Sequence, residues 1–232
     1  MPSRIGFALK RFITRRVCIG PSRRFHYANS LLAFGQWWRG HAAACPCFED
    51  RAGLYTYLQK ELLREAAIDY LEFGVYRGET IGLWSSINRD PASRFVGFDS
   101  FEGLPEAWEN LSLILPSGTF NTGGNTPDVQ DARIAFVKGW FQDTVPGYCR
   151  EFEVRNRLVV HCDADLYSSS MFVLSTLNPQ ISKGTIILFD EFDAVTHEFR
   201  AFTDYCSAFR RTLVPLAFAG PFFNHAAFEV KD

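Results

Sequence analysis

Four carboxylates carry the first chemical signal in the chain. Asp163 and Asp165 stand in "VVHCDADLYSSS", and Asp190 and Glu191 in "GTIILFDEFD". Each pair follows an apolar run, where a buried strand would end. On neighbouring strands three of these acids would meet at one spot, and that much like charge is tolerated only when a cation or protons neutralise it. Hard oxygen ligands with room for water or substrate suit Mg2+, or else Ca2+ or Mn2+. The alternative stays open that one acid caps a helix and another pairs with an arginine. A zinc site is a poorer match, since only His161 and His197 lie close in sequence.

A second signal is "DYLEFGVYRGET", from Asp69 to Thr80, in which Glu72 is followed by Gly74 and Gly78, four apart. The first glycine lets the backbone turn sharply near a ligand, and the second opens a helix. This is GxxxG, not GxGxxG. Tyr76 and Arg77 fill the turn on which a pyrophosphate would have to sit. A cofactor without phosphates, carrying a cationic sulfonium and an amino-acid tail, is a better match for Glu72. A plain strand-to-helix turn is the competing reading. In "VGFDSFEGLPE", Asp99 lies about 20 to 30 residues beyond that turn, where an α/β nucleotide site holds ribose hydroxyls. A helix-capping acid is its alternative.

These residues need strands to position them. From Ile68 the apolar runs "IDYLEFG", "RFVGFDSF", "RIAFVKGWF", "RLVVHCDADL" and "GTIILFDEF" alternate with spacers long enough for crossover helices, which predicts a buried parallel sheet. The last two runs, "TLVPLAF" and "HAAFEV", are too close together for a crossover and predict an antiparallel hairpin. The fold class expected is α/β: a Rossmann-like, mostly parallel seven-stranded sheet with that final hairpin, preceded by a helical segment. In "GLYTYLQKELLREAAI", Leu54, Tyr57, Leu58, Leu62 and Ile68 share one helical face. The chain therefore divides into a helical arm or cap over residues 1–66 and a ligand-binding domain over residues 67–232.

With 232 residues, 47% of them apolar, the chain can bury one good core, and its net charge of −2 offers no general attraction to nucleic acid. The first 24 residues hold Arg4, Lys10, Arg11, Arg15, Arg16, Arg23 and Arg24 with no acid. Ile5, Leu9, Phe12 and Ile13 recur there at near-helical spacing, read as a surface helix or packing arm in preference to a membrane or partner contact. The mixed charge makes a poor signal peptide, and no apolar run reaches the roughly 20 residues of a membrane span. The six scattered cysteines read as reduced cytoplasmic thiols, with "CPCF" at Cys45 and Cys47 a weak case for zinc.

Taken in order, "LEFGVYRGET", "GFDSFEGLPE", "VKGWFQDTVP", "DADLYSSS" and "FDEF" resemble the macrocin O-methyltransferase family, over roughly Leu54 to Asp232. The family consists of class I methyltransferases that transfer a methyl group from S-adenosylmethionine to sugar hydroxyls. The resemblance implies that Glu72, Gly74, Tyr76, Gly78 and Thr80 line the methionine and ribose part of the cofactor site, that Asp99 holds the ribose, and that Ser100 and Phe101 border the adenine. It implies that Gly139, Trp140, Phe141 and Asp143, in "GWFQD", close over the base. It places the divalent cation on Asp163, Asp190 and Glu191, where Glu191 is one methylene longer than the aspartate common in the antibiotic-sugar enzymes. No lysine follows Asp163 as in catechol-type relatives, so Asp163 is the first choice of general base and His197 the second, the latter equally readable as an exposed polar residue.

The stretch "GLPEAWENLSLILPSGTFNTGGNTPDVQ" reads as a lid. Trp37, Trp38, Trp108 and Trp140 offer sugar-stacking surfaces, although core packing is the better reading for most. The acceptor expected is a small-molecule or glycan hydroxyl, and relatives often form homo-oligomers. Two rivals remain: a dinucleotide- or nucleotide-sugar-binding oxidoreductase, and a non-catalytic binding module on the same fold.

Overall fold

The computed structural model describes residues 23–110 and 113–232. The basic segment with Ile5, Leu9, Phe12 and Ile13 lies outside the described residues, as does Cys18. The described chain opens with helix α1 (Arg23–His41), strand β1 (Cys47–Phe48) and helix α2 (Arg51–Tyr57), which continues as a π-helical turn over Leu58–Leu62. There follow β2 (Ile68–Phe73), α3 (Glu79–Ile87), β3 (Arg94–Asp99), β4 (Trp108–Glu109), β5 (Ile114–Leu115), β6 (Ile134–Lys138) and α4 (Phe141–Glu151). The remainder is β7 (Arg157–Cys162), α5 (Tyr167–Leu177), β8 (Ile186–Phe189), α6 (Glu198–Phe209), β9 (Leu213–Ala219), a 3-10 turn (Pro221–Phe223) and β10 (His225–Val230).

The main sheet runs β1-β9-β10-β8-β7-β2-β3-β6. β2 pairs in parallel with β3 and β7, β3 with β6, and β7 with β8, while β10 is antiparallel to both β8 and β9. All seven apolar runs are strands, and the sheet has an eighth. Cys47–Phe48 pairs in parallel with Phe218–Ala219; two residues leave no apolar run to read, so the seven-stranded expectation missed this edge. The strand order reverses between β2 and β7, the kind of switch point at which open α/β sheets bind ligands.

Both faces of the sheet are covered. Leu71, Phe73, Phe98, Val160 and Phe189 pack toward α5 and α6 and receive Phe34 from α1; Tyr70, Phe95, Val159 and Leu188 pack against Leu54, Tyr55 and Leu58 and against Trp84 of α3. The described part of the helical arm is thus built into the core. Its second helix ends at Leu62–Leu63, where Arg64 and Glu65 turn to positive φ, and Ile68 belongs to β2 and not to that helix. All of β2 is buried. Asp69 at its start accepts two hydrogen bonds from the Arg94 guanidinium, at 2.8 and 2.7 Å, and the backbone N–H groups of Arg155 and Asn156. No described helix is long and apolar enough to cross a membrane.

Candidate active site

A cavity of about 300 Å3 opens at the carboxyl ends of the central strands. Gly74 and Tyr76 enter it after β2, Asp99 and Ser100 at the end of β3, and Gly139, Trp140 and Phe141 after β6. Asp163 and Asp165 enter after β7, and Asp190 and Glu191 after β8. Gly103, Leu104, Pro105 and Phe120 approach it from the long loop after β3. That loop is tied down by the N–H groups of Thr122 and Gly124, which donate to the Phe101 carbonyl at 3.2 and 2.8 Å.

The glycine turn has a specific cause. Gly74 sits at φ +96°, and a Cβ there would stand 1.7 Å from the Asp163 carbonyl oxygen. It is glycine so that the exits of β2 and β7 can press together, which brings the Asp163 loop beside the turn. Asp99 fixes the same turn: one carboxylate oxygen accepts the N–H groups of Val75 and Tyr76, both at 2.8 Å, and the other accepts that of Phe101 at 2.7 Å. About one of its roughly four acceptor positions is left for a ligand, fewer than a carboxylate free for two ribose hydroxyls would offer.

Several residues singled out in the sequence stand outside this cavity. Glu72 is fully buried behind it, accepting a 2.5 Å hydrogen bond from the Tyr70 hydroxyl. Residues two apart on a strand share a face, so Glu72 follows Tyr70 into the packed side of β2. Gly78, at φ +76°, caps α3 against Pro127, and Thr80 is buried, accepting a 3.1 Å hydrogen bond from Arg51. Phe101 is core, and Asp143 is exposed on the first turn of α4. Among the four tryptophans, Trp140 reaches the cavity; Trp37 and Trp38 pack on the core, and Trp108 is buried.

His197 lies in a second cavity of about 560 Å3, with Tyr27, Glu106, Tyr167 and Arg200. Its Nε2–H donates to the Glu109 carbonyl at 2.9 Å, its Nδ1 faces the Tyr167 N–H at 3.4 Å, and its ring stacks on Trp108. With both nitrogens engaged it braces the β4–β5 hairpin. Burial, against the pull of the Glu109 carbonyl, lowers its pKa.

The acids at the β7 and β8 exits form one electrostatic unit. Burial and then Asp190 push the Asp163 carboxyl well above its usual range. Burial, Asp190 and Asp99 bring Asp165 to about 7, and burial, Asp165, Asp190 and Asp193 bring Glu191 to about 8. Asp190 is the exception: burial opposes its charge, yet His161 and His225, on either side, hold it below the ordinary value. His161 is the converse, disfavoured as a cation by burial and raised to about 10 by Asp190 and Glu72. Buried Glu191 Oε2 and His161 Nε2 have no hydrogen-bond partner, while Asp190 Oδ1 faces His225 Nδ1 at 3.0 Å and His161 Nε2 at 3.6 Å. Excess buried acid with an orphaned oxygen fits a dication. Among the described residues, however, the group whose ligand atoms lie within 4.8 Å of one another is His161, Asp163 and Asp190; Glu191 faces the same cavity but is not in that group.

The sequence reading also passed over Arg51, which lines the cavity beside Gly74 and Tyr76, and Glu198, whose carboxylate accepts the Glu191 N–H at 2.9 Å. Nothing local marks Arg51, because the fold carries it in from the helical arm. Glu198 and His225 sit one turn or one strand away from the motifs and gave no spacing signal.

The sheet order, with a cavity at the switch point, defines a class I methyltransferase fold. The Macrocin-O-methyltransferase (TylF) family model matches residues 59–216, and the chain belongs to that family. It is 31% identical over 156 residues to the 8-demethyl-8-(2,3-dimethoxy-alpha-L-rhamnosyl)-tetracenomycin-C 4'-O-methyltransferase of Streptomyces olivaceus, covering 57% of this chain and 58% of that one. It is 30% identical over 141 residues to the demethyldecarbamoylnovobiocin O-methyltransferase of Streptomyces niveus, covering 53% and 52%. The chain therefore spans about half to three fifths of the length of the curated relatives it matches. The solved structure of CalS11, a calicheamicin methyltransferase, shares the fold with a TM-score of 0.58 at 20% identity, covering 99% of this chain and 94% of that one.

Proposed function

We propose that the protein is an S-adenosylmethionine-dependent O-methyltransferase acting on a hydroxyl of a sugar or glycosylated natural product. The observation that carries this reading is that the family-matched strand exits, from Gly74 to Glu191, bring Asp99, Asp163 and Asp190 to the lining of one cavity. The names of the tetracenomycin and novobiocin relatives support a glycosylated acceptor.

When bound, S-adenosylmethionine supplies a methyl group on a cationic sulfonium, and a divalent cation supplies a Lewis acid that lowers the pKa of the acceptor hydroxyl. Arg51, which lines the cavity, would hold the methionine carboxylate, a pairing that a guanidinium favours. Asp99 accepts from the ribose through its remaining position, and Ser100, Trp140 and Phe141 border the adenine. Asp163 and Asp190 hold the cation, Glu191 facing them, with Mg2+ the ion an all-oxygen set would choose. Asp163 would take the hydroxyl proton, since a bound cation would keep its carboxylate ionised. The loop carrying Leu104, Pro105 and Phe120 excludes water. The second cavity, with Tyr27 and Tyr167, receives the rest of the acceptor.

We read residues 1–66 as a helical arm or cap that also brings Arg51 to the cofactor cavity, and residues 67–232 as the cofactor-binding domain, in a protein that assembles as a homo-oligomer. The scattered cysteines support a reducing, cytoplasmic setting. The test is release of S-adenosylhomocysteine across a panel of glycosides. Turnover with a subset is expected; binding of NAD in place of S-adenosylmethionine would instead support an oxidoreductase on this fold.

A further inference from the structure

We propose that a third cavity, walled by β4, the loop after β8 and the turn before β10, seats the sugar ring of the acceptor, and that Trp108, Asn224 and Phe222 select that ring. The proposal deepens the methyltransferase reading and rests on it for the reaction, not for the binding of a sugar.

The cavity holds about 270 Å3 and shares a wall with each of the other two: Glu191 with the cofactor cavity, Tyr27 and Asn110 with the second one. A ring hydroxyl that reaches Glu191 from this side arrives at the carboxylates where the methyl group is transferred, and a substituent on the ring extends past Tyr27. The volume falls below the roughly 300–1,000 Å3 of sites for drug-sized ligands, so it suits one ring and not a whole glycoside.

The lining residues carry hydrogen-bonding atoms that the chain does not use. Trp108 Nε1 and Asn224 Oδ1 are both buried without a partner. Such atoms are rare, and each calls for a partner from outside the chain. One is a donor and the other an acceptor. A hydroxyl both donates and accepts, so neighbouring hydroxyls of a sugar satisfy the two together, whereas a hydrocarbon satisfies neither. One face of the Trp108 indole is taken by His197, at 5.6 Å and 19°, so its unpaired N–H is what it brings to a ligand.

The stacking surface comes from Phe222, which lines the cavity and is 79% exposed. It stands at φ +60°, next to Phe223 at φ +64°, and two consecutive non-glycine residues in the left-handed region persist only where their surroundings hold them. Phe223 stacks on Trp38 at 3.6 Å, and the Asn224 carbonyl accepts the Phe192 N–H at 2.6 Å. The turn is thereby pinned to α1 and to the loop that carries Glu191, leaving the Phe222 ring at the rim for the C–H face of a sugar. Glu191 and Asp193 add negative charge, and among the described residues no basic side chain lines the cavity. A neutral ring is therefore selected over one that carries a carboxylate.

The probes are methyl α-L-rhamnopyranoside, methyl α-D-glucopyranoside and methyl α-D-glucuronide, added to the full chain with S-adenosylhomocysteine and without divalent cation, tryptophan being 15N-labelled at the indole. One indole resonance, assigned to Trp108 by its loss in Trp108→Phe, is expected to shift with at least one neutral glycoside and not with the glucuronide. Affinities come from saturation-transfer nuclear magnetic resonance. Phe222→Gly, which keeps the left-handed turn, should weaken that glycoside roughly 2- to 10-fold, and Asn224→Ala should do so roughly 2- to 10-fold, with S-adenosylmethionine affinity unchanged in both. These two variants carry the test if Trp108→Phe does not fold. Indole resonances that no neutral glycoside moves, a response to the glucuronide as strong as to the neutral rings, or unaltered glycoside affinity in both variants overturns the proposal. Failure of the methyltransferase reading looks different: S-adenosylmethionine then does not bind, whether or not a glycoside moves the Trp108 resonance.

Discussion

Replacing Gly74 by alanine should damage both folding and cofactor binding. The new Cβ would stand 1.7 Å from the Asp163 carbonyl oxygen and 2.7 Å from its carbon, and the residue would be held at φ +96°. The positive φ alone costs an L-residue about 1 kcal/mol or more. Relief of the contact cannot come from a flexible side chain, because the obstructing atoms are backbone. Forcing the β2 and β7 exits apart adds overpacking strain of about 1–3 kcal/mol, for a total of about 2–4 kcal/mol. At about 2–4 °C per kcal/mol for a chain of this size, the melting temperature should fall by roughly 10 °C. The displaced atoms carry Asp163, and a misplacement of about 1 Å can cost roughly 100-fold in rate. Differential scanning fluorimetry reads the stability, release of S-adenosylhomocysteine the rate, and titration with S-adenosylmethionine the affinity. Gly184→Ala is the control: its φ is +90°, but an added Cβ meets nothing within 4 Å, so only the conformational cost of about 1 kcal/mol applies. Equal melting temperatures for the two variants, with cofactor affinity unchanged in Gly74→Ala, would refute the steric reasoning.

Arg51→Ala should weaken S-adenosylmethionine binding about 10- to 150-fold by calorimetry, the value of a charged hydrogen bond of about 1.5–3 kcal/mol; an unchanged Kd removes Arg51 from the cofactor site. His197→Ala should raise the acceptor KM while lowering kcat by less than about 10-fold, since a general base contributes about 100-fold or more; a larger kcat loss with a changed pH profile would restore it as the base. For Asp69, burial favours the neutral acid, but Arg94 and the amides of Asn156 and Arg155 prevail and lower the carboxyl pKa in the fold. Its stabilisation is therefore fully present above the unfolded value of about 3.9 and is lost as pH falls through the folded value. Asp69→Asn should lower the melting temperature at pH 7 and flatten the acid limb of the wild-type curve; parallel acid limbs would count against this. A divalent cation at about 100 times its Kd should add about 2.7 kcal/mol, or roughly 5–10 °C at that same sensitivity, reversed by chelator and absent in Asp190→Asn.

The strands were legible because each buried run is apolar on both faces, and the acids after them were legible because carboxylates at strand ends are out of place unless they serve a site. What periodicity could not reveal was how side chains pair across strands. Glu72 looked like a cofactor contact because it precedes the glycine turn, but the two-residue alternation of β2 commits it to Tyr70 and hence to His161. His161 sits inside an apolar run and reads as core until β8 brings Asp190 opposite. Arg51 comes from a helix with no motif, and β1 is too short to register as a strand. His197 had a sound titration argument and a position near the acids in sequence, yet the turn before α6 carries it to the β4–β5 hairpin.

Isothermal titration of the full chain with S-adenosylmethionine, with NAD run in parallel, tests the central claim most directly. Saturable binding of S-adenosylmethionine that is lost in Gly74→Ala, with none for NAD, is the expected result. Tight binding of NAD with none of S-adenosylmethionine would contradict it.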